Sequence, residues 1–507
     1  MKPLKVLNRK DGLGGARKHR LRAWRLTGIF LSIALIAAAF GGTAGSVYAA
    51  NILATVGEAV STFTYTKNMH PMGFSARENT TSPFTANTDI AFWGKFAFHG
   101  NYDGFRIIDI SEPDNPVEVL DYRECAGNQG DVIVWDNILV RSWNSPAPAG
   151  ATCDGEPVLP GVFGRWEGLH IFDISDPSDP DLVASVETEC GSHTATGVPD
   201  PANGRLLVYN SPSSGACPGI DIIEIPLDDP ASAGYLRFEP AGRSCHDTGV
   251  ILGDVNMAAC AGGNGFTVWS LGGSSGGSLA DPLQLYSRTI TGVGVGHSTS
   301  FTWDGRVLIF GHEPGGGAAP RCQATNSITD RSLFFFEART GALLGSILHP
   351  RPQTNTENCT WHNYNILATD KRYVLVAGNY QSGISVVDFT DPANAYEVAF
   401  ADPAPLVPTT LGGDWSTYWY NGFVYESDIT RGMIIWNLND NVVAGAMKFD
   451  HLNPQTQMTS FPFKGTAFGR FKAAANQQGL VFFGESAPDD NSGGGGEEDF
   501  GGEGHEH

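Results

Sequence analysis

The stretch DGFRIIDISEPDNPVEVL, from Asp103 to Leu120, decides the fold of this chain. It joins an apolar run to a second strand-like run through a turn that is rich in Pro, Asp and Asn. Six variants of it follow: EGLHIFDISDPSDPDLVAS (167–185), GIDIIEIPLDDPASAGYLRF (219–238), NGFTVWSLGG (264–273), RSLFFFEARTGALLGSIL (331–348), SGISVVDFTDPANAYEVAF (382–400) and RGMIIWNLNDNVVAGAMKF (431–449). Each copy predicts a pair of antiparallel strands joined by a turn.

Two further strand-like runs precede each copy. In the first unit they occupy residues 89–93 and 95–99, on either side of a turn at Gly94. The corresponding runs of the other units begin at Asp131, His193, His246, His297, His362 and Trp415. Seven repeated units of four short strands are typical of a propeller, whose blades cover one another around a central channel. We therefore predict an all-β fold, a seven-bladed β-propeller of four-stranded antiparallel blades.

Three of the copies carry a resemblance to a known family. The segments IIDISEPDNP (107–116), IFDISDPSDP (171–180) and VVDFTDPANA (386–395) resemble the LVIVD repeat of exported bacterial β-propellers. The resemblance spans roughly residues 89–449, and the fourth, fifth and seventh copies lack the Asp-Pro turn. It implies a propeller fold and an exported protein, and it implies no particular activity.

Residues 1–49 are typical of a secretory signal peptide. A basic segment precedes the apolar run 29–40 and the small-residue pattern VYA at 47–49. An uncleaved membrane anchor is the alternative, although the apolar run is short for a membrane span.

The rest of the chain divides into three predicted segments. Residues 50–84 are expected to form an N-terminal extension packed on the first repeat, residues 85–485 the seven-bladed propeller, and residues 486–507 a disordered, acidic, glycine-rich tail. The last blade needs a strand to close the ring. Residues 60–65 and the apolar run 479–483 are the two candidates.

The charge balance excludes one class of partner. The chain has 32 Lys and Arg against 54 Asp and Glu, and residues 1–49 contain nine of the basic residues and one of the acidic ones, so the remainder carries a formal charge of −30. Nucleic acid is therefore not an expected partner, because phosphate binding depends on Lys and Arg. We expect a protein that is secreted or held at the cell envelope, with no transmembrane segment after signal cleavage.

All eight cysteines lie after residue 49, and an even number of cysteines in an exported chain favours disulfides. In a four-stranded blade, the loop that enters the innermost strand and the loop that follows the second strand share one face. The predicted strands place every cysteine in one of these loops. The sequence alone leaves the connectivity open, and this geometry favours consecutive pairs, Cys125–Cys153, Cys190–Cys217, Cys245–Cys260 and Cys322–Cys359. A metal cluster is the alternative, although no Cys-x-x-Cys pair occurs.

Histidines recur at the head of the innermost strand in four consecutive units, as His193, His246, His297 and His362. Innermost strands line the channel, so these imidazoles are predicted to face one another and to bind one Cu, Fe or Zn ion. Further polar residues are expected on the same face, namely Asp89, Asp131, Asp414, His99, His312, Glu313, Glu426 and Asp428. The alternative is a hydrogen-bonded channel mouth, since repeats also reproduce a residue that makes the same local bond in every blade.

Two functions are compatible with this pattern. The first is a ligand-binding or protein-interaction module, whose unknown small-molecule or protein ligand meets the loop-rich face. The second is a metal-dependent enzyme, an oxidoreductase, with the four histidines as ligands and Glu313 or Asp131 as the acid/base group. Imidazole nitrogens about 3 Å apart would favour the second function, and histidines turned into blade interfaces would favour the first.

Overall fold

The computed structural model describes residues 56–77, 86–164, 166–212, 215–369, 372–406 and 411–458. Within these residues, seven sheets follow one another in sequence order around a channel. The innermost strand of each sheet contacts that of the next, and the seventh contacts the first, so the ring is closed. The prediction of an all-β, seven-bladed propeller with four-stranded antiparallel blades is confirmed.

Each blade contains four antiparallel strands, numbered here from the channel outward. The innermost strands are Asn87–Trp93, Val132–Trp135, Thr194–Asp200, Asp247–Leu252, Gly296–Phe301, Asn363–Ile366 and Asp414–Tyr420. The second strands are Phe96–Asn101, Ile138–Trp143, Arg205–Ser211, Met257–Gly262, Val307–His312, Val374–Gly378 and Phe423–Asp428. The third strands are Gly104–Asp109, Gly168–Asp173, Gly219–Pro226, Gly265–Ser270, Ser332–Glu337, Ile384–Asp388 and Gly432–Leu438.

The outer strands are Val117–Tyr122, Asp181–Glu187, Gly234–Pro240, Leu283–Thr289, Leu343–Leu348 and Tyr396–Asp402, with Met69–Ala76 in the seventh blade. The remaining strands are Thr64–Tyr65, Thr152–Cys153, Glu156–Pro157, His451–Leu452 and Thr456–Met458. Short 3-10 helices occupy Pro201–Asn203, Pro230–Ser232, Gly273–Ser275, Thr329–Arg331, Pro392–Asn394 and Asn441–Val443. A single α-helical turn occupies residues 56–59.

The third strands are apolar without alternation because a blade is covered on both faces by its neighbours. Ile107 and Ile108 of the first blade are adjacent in the strand, and both are 0% exposed. Phe105 of the same strand packs against Phe172 of the second blade, with ring centroids 5.2 Å apart. The hydrophobic core is therefore a series of apolar layers between adjacent blades.

The Asp at the end of this apolar run makes the turn to the outer strand. Oδ1 of Asp109 accepts hydrogen bonds from the backbone N–H and the hydroxyl of Ser111, at 2.9 and 2.5 Å. Asp173 and Ser175 repeat the arrangement in the second blade, at 2.9 and 2.6 Å. Such a side-chain turn ends the strand and reverses the chain.

The seventh blade is closed by the N-terminal strand Met69–Ala76, which pairs antiparallel with Gly432–Leu438. Residues 69–76 are therefore a strand of the seventh blade and not an extension. The predicted contact with the first repeat is present, since Arg106 donates to the Ser75 hydroxyl at 2.5 Å. The seventh copy of the repeat continues into the short 3-10 helix Asn441–Val443 and a coil segment, so it supplies no outer strand of its own.

Neither predicted closing segment completes the last blade within the described residues. Of residues 60–65, only Thr64–Tyr65 forms a strand, and it adds a fifth strand to the outer edge of the sixth blade. Residues 479–483 lie outside the described residues, as do residues 1–49 and the tail 486–507.

A segment near the end of the described chain crosses the channel. His451–Leu452 pairs with the end of the innermost strand of the first blade. Thr456–Met458 then pairs in parallel with the innermost strand of the fourth blade. Both pairings lie toward the ends of the innermost strands, so this segment closes the channel on the face opposite to the one where those strands begin.

Two side-chain amides fix this crossing segment. Asn453 accepts a hydrogen bond from the backbone N–H of Val134 at 2.7 Å and donates one to its carbonyl at 2.8 Å. Gln457 bonds the N–H and the carbonyl of Phe301 in the same way, at 3.0 and 2.6 Å. Each side-chain amide thus makes the two hydrogen bonds that a neighbouring strand would make. Asn453 does so in the second blade and Gln457 in the fifth.

All four consecutive disulfides are present, as Cys125–Cys153, Cys190–Cys217, Cys245–Cys260 and Cys322–Cys359. They join loops of the face where the innermost strands begin, although Cys260 lies inside a second strand instead of following it. Four disulfides suggest an oxidising, extracellular environment. Among the residues that the structure describes, no helix has the length and apolar character needed to cross a membrane.

Candidate functional site

A cavity of about 310 Å³ lies on the face where the innermost strands begin. Its polar lining includes four imidazoles and three carboxyl groups, namely His193, His246, His297, His362, Asp131, Asp247 and Glu313. Tyr102, Tyr380 and Trp415 add aromatic surface. The cavity size is at the lower end of the range of small-molecule sites.

The four imidazoles form a continuous arc across the third to sixth blades. Successive ring centroids, from His193 through His246 and His297 to His362, are 4.2, 4.0 and 4.3 Å apart. The Nε2 atoms of His193 and His246 are 2.9 Å apart. These two rings are therefore within hydrogen-bond distance of each other.

The local backbone explains why these side chains reach the channel. The backbone N–H groups of His193, His246 and His362 donate to carbonyl groups at the ends of second strands, at 2.9, 2.7 and 3.2 Å. In the fifth blade the pairing shifts by one residue at His297, a bulge between the innermost and second strands. Such irregularities redirect a side chain at a strand end.

Two of the rings are oriented by hydrogen bonds at Nδ1. Nδ1 of His246 lies 3.0 Å from Oδ1 of Asp247. Nδ1 of His362 donates to the backbone carbonyl of Trp415 at 2.6 Å. Both bonds leave Nε2 as the nitrogen that faces the other cavity groups, and metal-binding histidines in proteins are commonly held in this way.

The imidazoles are neutral near physiological pH. Burial lowers the pKa of His246 and of His362 to about 3. Burial also holds the pKa of His193 and of His297 well below the usual value, and neighbouring imidazoles add to this effect. The neutral form is the one that carries a lone pair for a metal ion.

The carboxyl groups of the cavity tend to hold their protons. Burial raises the pKa of Asp247 to about 8, although a hydrogen bond from Thr194 acts to lower it. Burial raises the pKa of Glu313 to about 7, although the hydrogen bond from Tyr380 opposes this shift. The pKa of Asp131 lies well above its usual value, chiefly through burial. The cavity therefore carries little net charge near neutral pH.

A glycine loop covers Glu313. The hydroxyl of Tyr380 donates to Oε1 of Glu313 at 2.5 Å. The loop that follows places Gly317 at a φ of 72°, and a Cβ at this position would lie 2.8 Å from the Tyr380 hydroxyl and 2.9 Å from Oε1 of Glu313. Only glycine fits this approach. The disulfide Cys322–Cys359 ties the end of this loop to the entry of the sixth blade.

Two groups of described residues have ligand atoms that all lie within 4.8 Å of one another at this cavity. One contains His246, Asp247 and His297, and the other contains His297, Glu313 and His362. His193 belongs to neither group. The four predicted ligands thus lie side by side, and they do not converge on one point.

Of the two acid/base candidates, Glu313 adjoins the arc, with Oε1 lying 4.0 Å from Nε2 of His362. Asp131 lines the same cavity from the second blade, and its Oδ2 is buried without a hydrogen-bond partner. Asp131 belongs to neither group of possible ligands.

Several polar residues expected on this face make structural bonds elsewhere. His99 bonds the Ser427 hydroxyl at 2.7 Å, and His312 donates to the Thr329 carbonyl at 2.5 Å. The indole N–H of Trp436 donates to Glu426 at 2.7 Å. Three aspartates also have partners: Asp428 pairs with Arg431, Asp89 accepts from Tyr418, and Asp414 accepts from Thr417.

Sequence reasoning missed Asp247, Tyr380 and Trp415 as parts of the site. Asp247 directly follows His246, so the His-Asp pair was a visible signal. Tyr380 follows a second strand at the position that Glu313 occupies in the preceding blade, but its residue type differs. Trp415 takes the place of a histidine at the head of the seventh blade. It acts through its backbone carbonyl, which accepts from His362, and a pattern of side chains in the sequence does not reveal such a role.

Comparison with known families agrees with the repeat pattern. The model of the LVIVD repeat matches residues 86–124 and 163–188. The chain carries LVIVD repeats. These matches cover the first blade and the outer half of the second, whose turns read SEPDNP (111–116) and SDPSDP (175–180). An LVIVD β-propeller suggests an interaction module. No curated protein matches the sequence.

The solved structures that this chain resembles share little of its sequence. The computationally designed Ika8 protein is 12% identical, with 73% of this chain and 100% of that chain covered and a TM-score of 0.42. A putative 6-phosphogluconolactonase from Bacteroides fragilis is 9% identical, with 69% and 89% covered and a TM-score of 0.43. YCF48 bound to D1 peptide is 10% identical, with 72% and 97% covered and a TM-score of 0.41.

Proposed function

We propose that this protein is a secreted or cell-envelope binding module whose ligand enters the histidine-lined cavity, and that the imidazole arc holds a Cu, Fe or Zn ion as part of that site. The ligand is a small molecule, or a protein segment that inserts a side chain. It approaches the face that the four disulfides join.

One observation carries the proposal. Four neutral imidazoles line a single cavity. In His246 and in His362, Nδ1 is hydrogen-bonded to an oxygen atom, of Asp247 and of Trp415 respectively. A neutral imidazole whose Nδ1 is held by a hydrogen bond presents Nε2 as a good ligand atom for Cu, Fe or Zn. A channel mouth that needed only hydrogen bonds to backbone would not require the four rings to contact one another.

Elemental analysis tests this proposal. The protein is purified without a histidine tag, beside a His246→Ala/His297→Ala variant. We expect a stoichiometric amount of Cu, Fe or Zn in the wild type, and its loss in the folded variant. A folded wild type that contains no metal and takes up none on dialysis would contradict the metal part of the proposal, and a polar ligand site would remain.

An oxidoreductase is the second candidate, and the Glu313–Tyr380 pair favours it. A carboxyl group that is hydrogen-bonded to a phenol at 2.5 Å, beside a row of imidazoles, is placed to accept or release a proton. If the ion is Cu or Fe, reduction by ascorbate and reoxidation by air are followed by electron paramagnetic resonance. We expect Tyr380→Phe to slow this cycle, because it removes the hydroxyl that donates to Glu313. A site that holds only zinc would contradict this candidate, because zinc does not change its oxidation state.

A further inference from the structure

We infer that the metal position is set by two histidines and one carboxylate, His297, His362 and Glu313, and not by the four histidines together. This inference rests on the proposed function, because it assumes that the cavity binds a transition-metal ion. It names the ligands of that ion and leaves His193 and His246 as a separate hydrogen-bonded pair.

The distances support this set of three. Its ligand atoms all lie within 4.8 Å of one another, and Nε2 of His362 is 4.0 Å from Oε1 of Glu313. Two atoms that bind one ion at about 2.0–2.2 Å each lie no more than roughly 4.4 Å apart. Small rotations of these three side chains are therefore sufficient. Among the described residues, no such group contains His193 or combines His246 with His362.

The proton of His362 is placed by its neighbour. Since Nδ1 donates to the Trp415 carbonyl at 2.6 Å, Nε2 of the neutral ring carries a lone pair. This lone pair faces Oε1 of Glu313, and 4.0 Å is too long for a hydrogen bond between them. Tyr380 already donates to the same oxygen. Two electron-rich atoms that face each other without a shared proton are stabilised by a cation.

His297 has an unused orienting partner. Its Nδ1 lies 3.6 Å from Oδ2 of Asp247, and both atoms are buried without a hydrogen bond. A movement of a few tenths of an ångström forms this bond, which leaves Nε2 of His297 as the ligand atom. Asp247 would then hold His246 through one oxygen and His297 through the other.

The pair formed by His193 and His246 needs no ion. Its two Nε2 atoms are 2.9 Å apart, so a single proton satisfies both. By contrast, two neutral imidazoles and the Glu313 carboxyl group, which releases its proton when a cation binds, supply a negative charge. They leave coordination positions open toward the cavity, as in many iron and catalytic zinc sites. A ligand that enters the cavity can bind the ion at these positions.

Cobalt(II) titration of the metal-free protein tests the assignment, with visible d–d absorption as the readout. Three variants are compared with the wild type: Glu313→Gln, His362→Gln and His193→Gln. We expect the first two to weaken Co²⁺ binding by about 100-fold or more and His193→Gln to change it by less than about threefold. Circular dichroism and thermal unfolding of each metal-free variant show whether it is folded. If Glu313→Gln does not fold, Glu313→Asp replaces it, with the same expected direction.

The titrations distinguish a wrong set of ligands from the absence of a metal site. Loss of binding in His193→Gln with retention in Glu313→Gln would overturn the ligand set and leave the proposed metal site standing. Equal losses in all three variants would also overturn it, in favour of a four-histidine centre. A wild type that binds neither Co²⁺ nor Zn²⁺ would remove the proposed metal function itself.

Discussion

At the scale of single residues, the arc of imidazoles depends on oxygen atoms that are placed behind it. Asp247 has one oxygen 3.0 Å from Nδ1 of His246 and the other 3.6 Å from Nδ1 of His297. The carbonyl of Trp415 fixes His362. These groups decide which ring nitrogens face the cavity, so they would orient the rings toward the proposed ion.

We expect Asp247→Asn to weaken Co²⁺ binding by about 10-fold or more, because the amide cannot accept from both histidines. The measurement is the same optical titration of metal-free protein. Asp221→Asn is a matched control, since Asp221 is also a fully buried aspartate with a raised pKa but lies on a third strand outside the cavity. Equal affinities for Asp247→Asn and the control would contradict this role of Asp247.

Asp221 itself makes the stability of the protein depend on pH. Burial raises its pKa to about 7, although the backbone N–H of Cys190 donates to it at 3.2 Å. In the unfolded chain the pKa is about 3.9. Between these values the folded state binds a proton that the unfolded state has lost, so this group lowers stability as the pH rises from about 4 to 7.

We therefore expect Asp221→Asn to be more stable than the wild type at pH 8, by about 1–3 kcal/mol, and to gain less at pH 5. Urea unfolding at the two pH values measures the difference. Asp109→Asn is the control, because hydrogen bonds from Lys95 and Ser111 lower the pKa of this aspartate, which ends a third strand. A gain for Asp221→Asn that is the same at both pH values would show that the carboxyl group does not hold a proton in the folded state.

The row of histidines could be anticipated because it repeats with the fold. A residue at the head of an innermost strand reaches the channel in every blade, and the spacing of the repeat shows which residues these are. The orienting groups could not be anticipated in the same way. Trp415 acts through its backbone, and the contact between Glu313 and Tyr380 joins residues 67 positions apart.

At the scale of elements, most third strands begin with glycine because the outer strand passes too close to this position to leave room for a Cβ. A Cβ at Gly104 would lie 1.8 Å from the carbonyl oxygen of Tyr122. The same relation holds at Gly432, where a Cβ would lie 2.3 Å from the carbonyl oxygen of Ser75 in the N-terminal strand. Met69–Ala76 thus occupies the position that an outer strand has in the other blades.

We expect Gly432→Ala to destabilise the protein by about 2–4 kcal/mol, because the N-terminal strand must move away from the new methyl group. Hydrogen exchange followed by mass spectrometry should show faster exchange in residues 69–76. Gly234→Ala is the control, since a Cβ at Gly234 meets open space. Unchanged exchange in residues 69–76 would mean that this strand does not depend on the close contact.

The elements that the sequence did not predict lack the pattern that identifies the others. The closing strand reads MHPMGFSA, and its pairing shifts between Pro71 and Gly73, so it shows no regular alternation. The crossing segment HLNPQTQM is short, polar and interrupted by Pro454. Side-chain amides as well as backbone groups bond this segment to the blades. A prediction from hydrophobic periodicity does not identify a segment that is held in this way.

At the scale of the whole molecule, two distant segments complete the ring. The N-terminal strand closes the seventh blade, and residues 451–458 contact the innermost strands of the first five blades. The ring is therefore tied across the channel as well as around its rim. The histidine-lined cavity lies on the face opposite to this crossing segment, so the proposed ligand would approach it from that face.

The crossing segment can be tested through Asn453, whose amide satisfies both backbone groups of Val134. We expect Asn453→Leu to destabilise the protein by about 2–4 kcal/mol, because it leaves a buried N–H and a buried carbonyl without partners. Thermal unfolding measures the loss, and Asn115→Leu, in an exposed turn, is the control. Faster hydrogen exchange at residues 132–135, with unchanged exchange in the outer strands, would locate the defect at the channel. If Asn453→Leu and the control unfold at the same temperature, the segment does not tie the blades together, and the closed end of the channel contributes nothing to the stability of the ring.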